Sequence, residues 1–247
     1  GLTAVGKPDQ RIQVHGDGSG KAWGAVAVVR SPQEVIIEYI AIAGGGQAQI
    51  NGLFFSGGVA VYNSDLRVAH CSIVDMQSED GLNLKNGHVF IDDCLFARNA
   101  SDSVDIDFGR GEVRNSRFLD NVNDGLDISG SELLINSNRF ENNGDKGLSV
   151  GEESFPTINN SLFRSNQIGL AVKDLSHAKV AYSTFVNNVL ALEVKRKKAF
   201  FGGGSVEIVN CVFVGNQTLL DEDYFSADQT EFRSTLADDE TACPACV

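Results

Sequence analysis

The residues with the most chemical potential in this chain are six aspartates, Asp80, Asp102, Asp105, Asp107, Asp124 and Asp127. Asp80, Asp102 and Asp124 follow one another at a constant step of 22 residues, and Asp105 and Asp127 repeat that step. Lys85, Lys146 and Lys173 flank them, and a basic run, Lys195, Arg196, Lys197 and Lys198, lies farther along. If one step is one layer of a stacked fold, equivalent carboxylates sit ~4.8 Å apart. Like charges at that spacing cost on the order of 1 kcal/mol or more per pair unless something relieves them. A hard cation such as Ca²⁺ held by oxygen ligands would do so. So would carboxylates that share protons as an acid/base pair. A third reading is an acidic face kept for solubility and neutralised by Lys85 and Lys146 in ordinary ion pairs.

The elements that must position these residues are legible in the same period. DGLNLK (80–85), DSVDID (102–107), DGLDIS (124–129), KGLSVG (146–151), IGLAVK (168–173) and LALEVK (190–195) begin 22 residues apart. Their third and fifth residues are apolar and the fourth and sixth mostly polar, the alternation of a half-buried strand. Other columns repeat in step: an apolar slot from Val68 to Ile208, and a small or polar slot holding Cys71, Cys94, Ser116, Asn138, Ser161, Ser183 and Cys211. A mostly phenylalanine slot runs from Ile73 and Phe96 to Phe213, and an asparagine slot from Asn99 to Asn216. The fold class is therefore all-β, a right-handed parallel β-helix of about eight coils with roughly 22 residues per coil. Aromatic rings should stack inside it, and the asparagines should bond amide to amide while accepting the left-handed backbone of a sharp turn. Residues 1–23 read as an N-terminal cap, 24–226 as the β-helix, and 227–247 as an acidic cap or linker tail. Two stretches break the period, GGGQAQINGLFFSGG and RKKAFFGGG (196–204).

Composition narrows the function classes. A net charge of −13 repels nucleic acid and anionic membranes. No apolar run approaches the ~20 residues that span a bilayer. The start at Gly1 without Met suggests a piece of a larger chain. Of the five cysteines, Cys71, Cys94 and Cys211 read as small interior residues, and stacking would also permit a disulfide between the first two. Cys243 and Cys246 form a terminal CPAC. His15, His70, His88 and His177 share no metal-ligand spacing, and GDGSGKAWG (16–24) reads as a turn. Trp23, Tyr39 and Tyr62 are either core residues or sugar platforms.

The NxxF…N…DGLxI unit resembles the right-handed β-helix repeats of pectate lyases, polygalacturonases and bacterial β-helix-region proteins, over roughly residues 55–225. NDGLDISGS (123–131) and GDKGLSVGE (144–152) are also similar to β-helix modules of bacterial surface proteins. The resemblance implies a protein that is secreted, on the cell surface or periplasmic, and that handles polysaccharide. Lyases of this kind use Ca²⁺ with a lysine or arginine base, and polygalacturonases use clustered aspartates. The sequence has no GHG, RIK or DPHE run, so neither the galacturonase nor the epimerase residue set carries over. On the lyase version, Asp102, Asp107 and Asp124 hold the cation, and Lys146 or Lys173 abstracts the proton α to a substrate carboxylate. Asp105 or Asp127 is then the partner acid or base, and Lys85, Glu193 and Lys195 contact substrate. A hydrolytic version pairs Asp105 with Asp127, whose ~5 Å spacing implies retention. The competing expectation is a non-catalytic structural or adhesion module.

Overall fold

In a computed structural model that describes residues 1–227 and 229–238, the chain is a parallel β-helix. Each coil lays down three strands and so builds three faces. The first carries the DGLxIx segments: Val26–Val29, Gly57–Tyr62, the leading halves of Asp80–Asp92 and Asp102–Arg114, Leu126–Ser129, Lys146–Gly151, Ile168–Lys173, Leu190–Lys195 and Thr218–Glu222. The second runs from Thr3–Val5 through Leu66–Ala69 and Glu132–Asn136 to Thr230–Arg233. The third stacks ten short strands from Ile12–Val14 to Leu236–Ala237. Successive coils are offset by about 23 residues, with about eight full coils.

Strands pair beyond both ends of the 24–226 span read from the sequence. Thr3–Val5 pairs with Val35–Glu38, and Ile12–Val14 with Ile40–Ala43. Thr230–Arg233 and Leu236–Ala237 pair with the coil before them. Ladder bonds are made by backbone, which carries no side-chain signature, so these strands lie outside the visible repeat. The CPAC pair lies outside the described residues. The first irregular stretch contains an antiparallel hairpin, Ala48–Ile50 with Leu53–Phe55.

Inside the cylinder, Phe96, Phe118, Phe140, Phe163, Phe185 and Phe213 are fully buried and stack in one row, with centroids 4.5 to 5.2 Å apart. Each such contact adds about 0.5–1.5 kcal/mol beyond the area buried. Beside them Asn99, Asn121, Asn143, Asn166, Asn188 and Asn216 bond amide to amide at 2.9 to 3.1 Å. Their backbone differs from the expectation. The left-handed residue of this turn is the one before each asparagine: Arg98, Asp120, Asn142, Ser165, Asn187 and Gly215. The buried amides serve the ladder, and the exposed neighbour absorbs the bend. Cys71, Cys94 and Cys211 are buried and free, and their thiols donate to the carbonyl two residues back, as the hydroxyls of Ser116, Ser161 and Ser183 do in the same slot.

The glycine of DGLxIx has a steric cause. A Cβ at Gly125 would stand 2.6 Å from the Gly147 carbonyl oxygen, and one at Gly147 would stand 2.7 Å from that of Gly169. The chain enters the first face too close to the next coil for a side chain to fit.

Candidate active site on the first face

The register stacks the polar column in the order Asn83, Asp105, Asp127, Ser149, Ala171, Glu193 and Asp221. A neighbouring column runs Asp80, Asp102 on the same ladder, and Lys85 stands beside Asp107. The ion pairs expected of an acidic face are present, Lys85 with Asp107 and Lys146 with Asp124, but the face is not a fully solvated one. Asp80, Asp124, Lys146, Ser149, Lys173 and Glu193 are buried, and Asp102, Asp105, Asp107 and Asp127 are half-buried.

Three of the aspartates converge. Asp102, Asp124 and Asp127 each place a carboxylate oxygen within 4.8 Å of the other two. Asp102 Oδ1 accepts from Asn123 Nδ2 at 2.7 Å and from the Asp124 amide at 2.8 Å. Asp124 Oδ1 accepts from the Lys146 amide at 2.9 Å. Asp127 Oδ1 is buried with no partner, and Glu193 Oε2, farther along the same column, shares that condition. Only one other buried side-chain nitrogen or oxygen among the described residues lacks a partner. Unmet hydrogen bonding is thus concentrated on this face.

Burial raises the carboxyl pKa values here, and the aspartates reinforce one another. Asp105 is pushed up to about 9 by burial and then by Asp107, Asp80 and Asp127. Burial takes Asp124 to about 7 despite Lys146, and Asp80 and Asp102 to about 6. Asp105 therefore keeps its proton at neutral pH, with Asn83 Nδ2 donating to its Oδ2 at 2.7 Å.

The lysines divide by environment. Burial works against the charge of Lys146, but Asp124 and Asp145, both ion-paired with it, outweigh that and hold its pKa above the ordinary lysine value. Lys85 behaves alike: burial is outweighed by Asp107, whose Oδ2 is 3.0 Å away. Lys173 is different. It is 5% exposed, its Nζ donates to Ser149 Oγ at 2.7 Å, and it forms no ion pair among the described residues. Burial pulls its pKa below the ordinary value, opposed by Asp127.

Among the sequence-based site residues, Asp102, Asp124, Asp105, Asp127 and Lys173 are thus brought together. Asp107 turns to Lys85 instead of joining Asp102 and Asp124, and Asp127 takes the third place in the cluster. Lys146 is committed to its carboxylates and is a poor base. Glu193 and Lys195 lie farther along, bonded to each other at 2.6 Å. Ser149, Asn83 and Asn123 complete the site. The first two stood in the column that the repeat defines, whereas Asn123 and Asp145 precede their segments and carried no periodic signal. Trp23, Tyr39 and Tyr62 serve packing: Trp23 Nε1 donates to the Ala43 carbonyl at 2.7 Å, Tyr39 stacks on His70, and Tyr62 stacks on Phe55.

The model of the family described as "Right handed beta helix region" matches residues 57–217. The chain belongs to this family. The matched span of this β-helix-region protein contains the site residues from Asp80 to Lys195, and Asp221 at the end of the column lies just beyond it. Its fold is similar to the crystal structure of pectate lyase Pel9A, with a TM-score of 0.62 at 13% identity over 92% of this chain. It spans 65% of that lyase's length. It is also similar in fold to an alginate lyase from Paenibacillus sp. str. FPU-7, with a TM-score of 0.53 at 11% identity, covering 93% of this chain and 82% of the other. A search of curated proteins finds no match. No helix among the described residues is long and apolar enough to cross a membrane.

Proposed function

We propose that this β-helix protein acts on an acidic polysaccharide at the first face as a cation-dependent lyase. The observation that carries the reading is the juxtaposition of Asp102, Asp124 and Asp127 within 4.8 Å with a buried lysine, Lys173, that forms no ion pair among the described residues. The three carboxylates fit a hard cation such as Ca²⁺: they offer only oxygen, and Asp127 Oδ1 is buried without any other donor. When bound, such an ion supplies positive charge against the carboxylate of a uronate unit and so acidifies the carbon next to it.

The remaining chemistry falls to the chain's own groups. Lys173, whose pKa burial pulls below the ordinary lysine value and whose Nζ is oriented by Ser149, takes the proton from the carbon α to the substrate carboxylate. The bond to the leaving glycosidic oxygen breaks, and Asp105, still protonated at neutral pH, supplies the proton that oxygen needs. Lys85 and Lys195 offer positive charge at either side of the column. Two folds similar to this one belong to proteins named for pectate and for alginate, which supports a uronate polymer as the substrate class. The reading implies a secreted or cell-surface protein, and a larger parent chain remains part of the proposal.

Incubation with polygalacturonate or alginate should release unsaturated ends, followed by their ultraviolet absorbance, with Ca²⁺ but not with chelator. Lys173→Ala should reduce the rate by roughly 10²–10⁴-fold. Reducing ends without absorbance would instead indicate hydrolysis by Asp105 and Asp127. No product from any uronate polymer would leave the structural or adhesion module as the account.

A further inference from the structure

The irregular segment 196–204 and the turn 223–226 carry a feature that the catalytic reading does not use. Phe200 is 80% exposed and Tyr224 is 88% exposed, and Phe225 is also exposed. Phe200 packs against Phe201 at 4.6 Å, Tyr224 against Phe225 at 5.5 Å, and the Arg196 guanidinium lies over the Phe225 ring at 3.2 Å. Large aromatic rings are seldom left in water on a well-anchored segment without a partner.

The segment is anchored from both neighbouring coils. The amides of Lys197 and Lys198 donate to Asp174 Oδ1 at 2.7 and 2.8 Å, and Leu175 donates to the Gly203 carbonyl at 3.0 Å. On the other side, the Arg196 amide donates to Asp223 Oδ2 at 2.9 Å and the Gly204 amide to Ser226 Oγ at 3.0 Å. A Cβ at Gly203 would stand 2.2 Å from the Phe225 carbonyl oxygen, so only glycine lets the two segments meet. The rings are therefore held out by a built scaffold.

A basic run stands here within an acidic chain and beside acids of its own: Asp221, Glu222 and Asp223 precede the aromatic pair of the turn, and Lys195 is paired with Glu193. The chain has a net charge of −13, yet Lys195, Arg196, Lys197 and Lys198 are consecutive here, with Lys173 one coil away. Lys198 pairs with Glu152, which tethers the segment to the margin of the aspartate cluster, and Lys197 is exposed. Three coils separate Asp127 from Glu193 along one ladder, ~14 Å at ~4.8 Å per coil.

We propose that Phe200, Tyr224 and Phe225 with Arg196 and Lys197 form a distal subsite that grips the same anionic polysaccharide, beyond the unit held at the aspartates. The rings stack on the apolar faces of sugars, and the cations pair with the carboxylates between them. Arg196 and Lys197 select this occupant: among the described residues neither forms an ion pair, whereas Lys195 and Lys198 are paired with Glu193 and Glu152. The proposal rests on the polysaccharide reading above, and it concerns grip rather than bond cleavage.

Affinity electrophoresis of the full chain through gels containing polygalacturonate, in chelator, isolates this subsite from any cation. The wild type should be retarded, more so at low salt, and unretarded by a neutral glucan. Phe200→Ala/Tyr224→Ala and, separately, Lys197→Glu should each weaken retardation about tenfold or more, with unchanged thermal midpoints, since all three side chains are exposed. Asp127→Asn should stay retarded. Equal retardation of the wild type and these variants, or loss only in Asp127→Asn, would overturn the subsite while leaving the catalytic reading intact. Retardation with no product from any polymer would overturn the catalytic reading alone. No retardation of the wild type overturns the subsite outright.

Discussion

The phenylalanine row from Phe96 to Phe213 and the polar row from Asn83 to Glu193 are made by the same operation, one strand position repeated by the coil. Inside, repetition brings ring onto ring and amide onto amide, and every contact is favourable. Outside, it brings carboxylate onto carboxylate with little water, and pushes Asp105, Asp124, Asp102 and Asp80 away from ionisation. A solenoid multiplies whatever it is given. Stability is legible where the product is favourable, and the proposed cation answers the repulsion where it is not.

Removing a member of the interior row tests the favourable half most severely. Phe140→Ala should cost about 3–5 kcal/mol, because rings above and below fix the cavity walls; denaturant titration would measure it. A loss below 1 kcal/mol would mean that the row is not cooperative. Asn143→Ala comes next. It takes away the Oδ1 to which the Asn121 side-chain amide and backbone N–H both donate, at about 1–3 kcal/mol for each donor left buried and unpaired.

The outer row should respond with the opposite sign. A carboxyl whose folded pKa is raised stabilises fully below its unfolded pKa and loses that contribution as pH rises through the folded value. For Asp105 the window runs from about 4 to about 9, with a slope of up to about 1.4 kcal/mol per pH unit. Asp105→Asn should therefore raise the thermal midpoint at pH 8 and flatten its pH dependence across that window. An unchanged slope would show that Asp105 is ionised in the fold. Lys173, with its lowered pKa, pulls the other way: its contribution is complete above the ordinary lysine pKa and fades as pH falls through the folded value. The smallest effect belongs to an exposed pair. Arg98→Ala, which removes the ion pair with Asp75, should change stability by less than about 1 kcal/mol.

Period alone exposed most of this architecture. The step of 22 residues identified the faces, the phenylalanine and asparagine columns and the outward row, since in a solenoid equal spacing means vertical contact. It also brought Asp102, Asp105, Asp124, Asp127 and Lys173 to one face. It could not say how each side chain resolves its charge. Asp107 and Lys146 sit in the right columns but settle on Lys85 and on Asp124 with Asp145, choices made by rotamers and by a residue before the repeat segment. Strands such as Thr3–Val5 and Thr230–Arg233 were invisible because backbone pairing leaves no mark in residue type. The aromatic platform was missed for a related reason: it lies in the stretch where the period fails.

Calcium addition tests the central claim most directly, because the unfavourable outer row should become favourable once a cation occupies it. Thermal unfolding at pH 8 should shift upward with Ca²⁺ relative to chelator, by about 2.7 kcal/mol at a hundredfold excess over the dissociation constant. The shift should vanish in Asp127→Asn, whose substitution removes one of the three converging carboxylates. A wild-type midpoint indifferent to Ca²⁺, or a shift that survives in Asp127→Asn, would contradict the account.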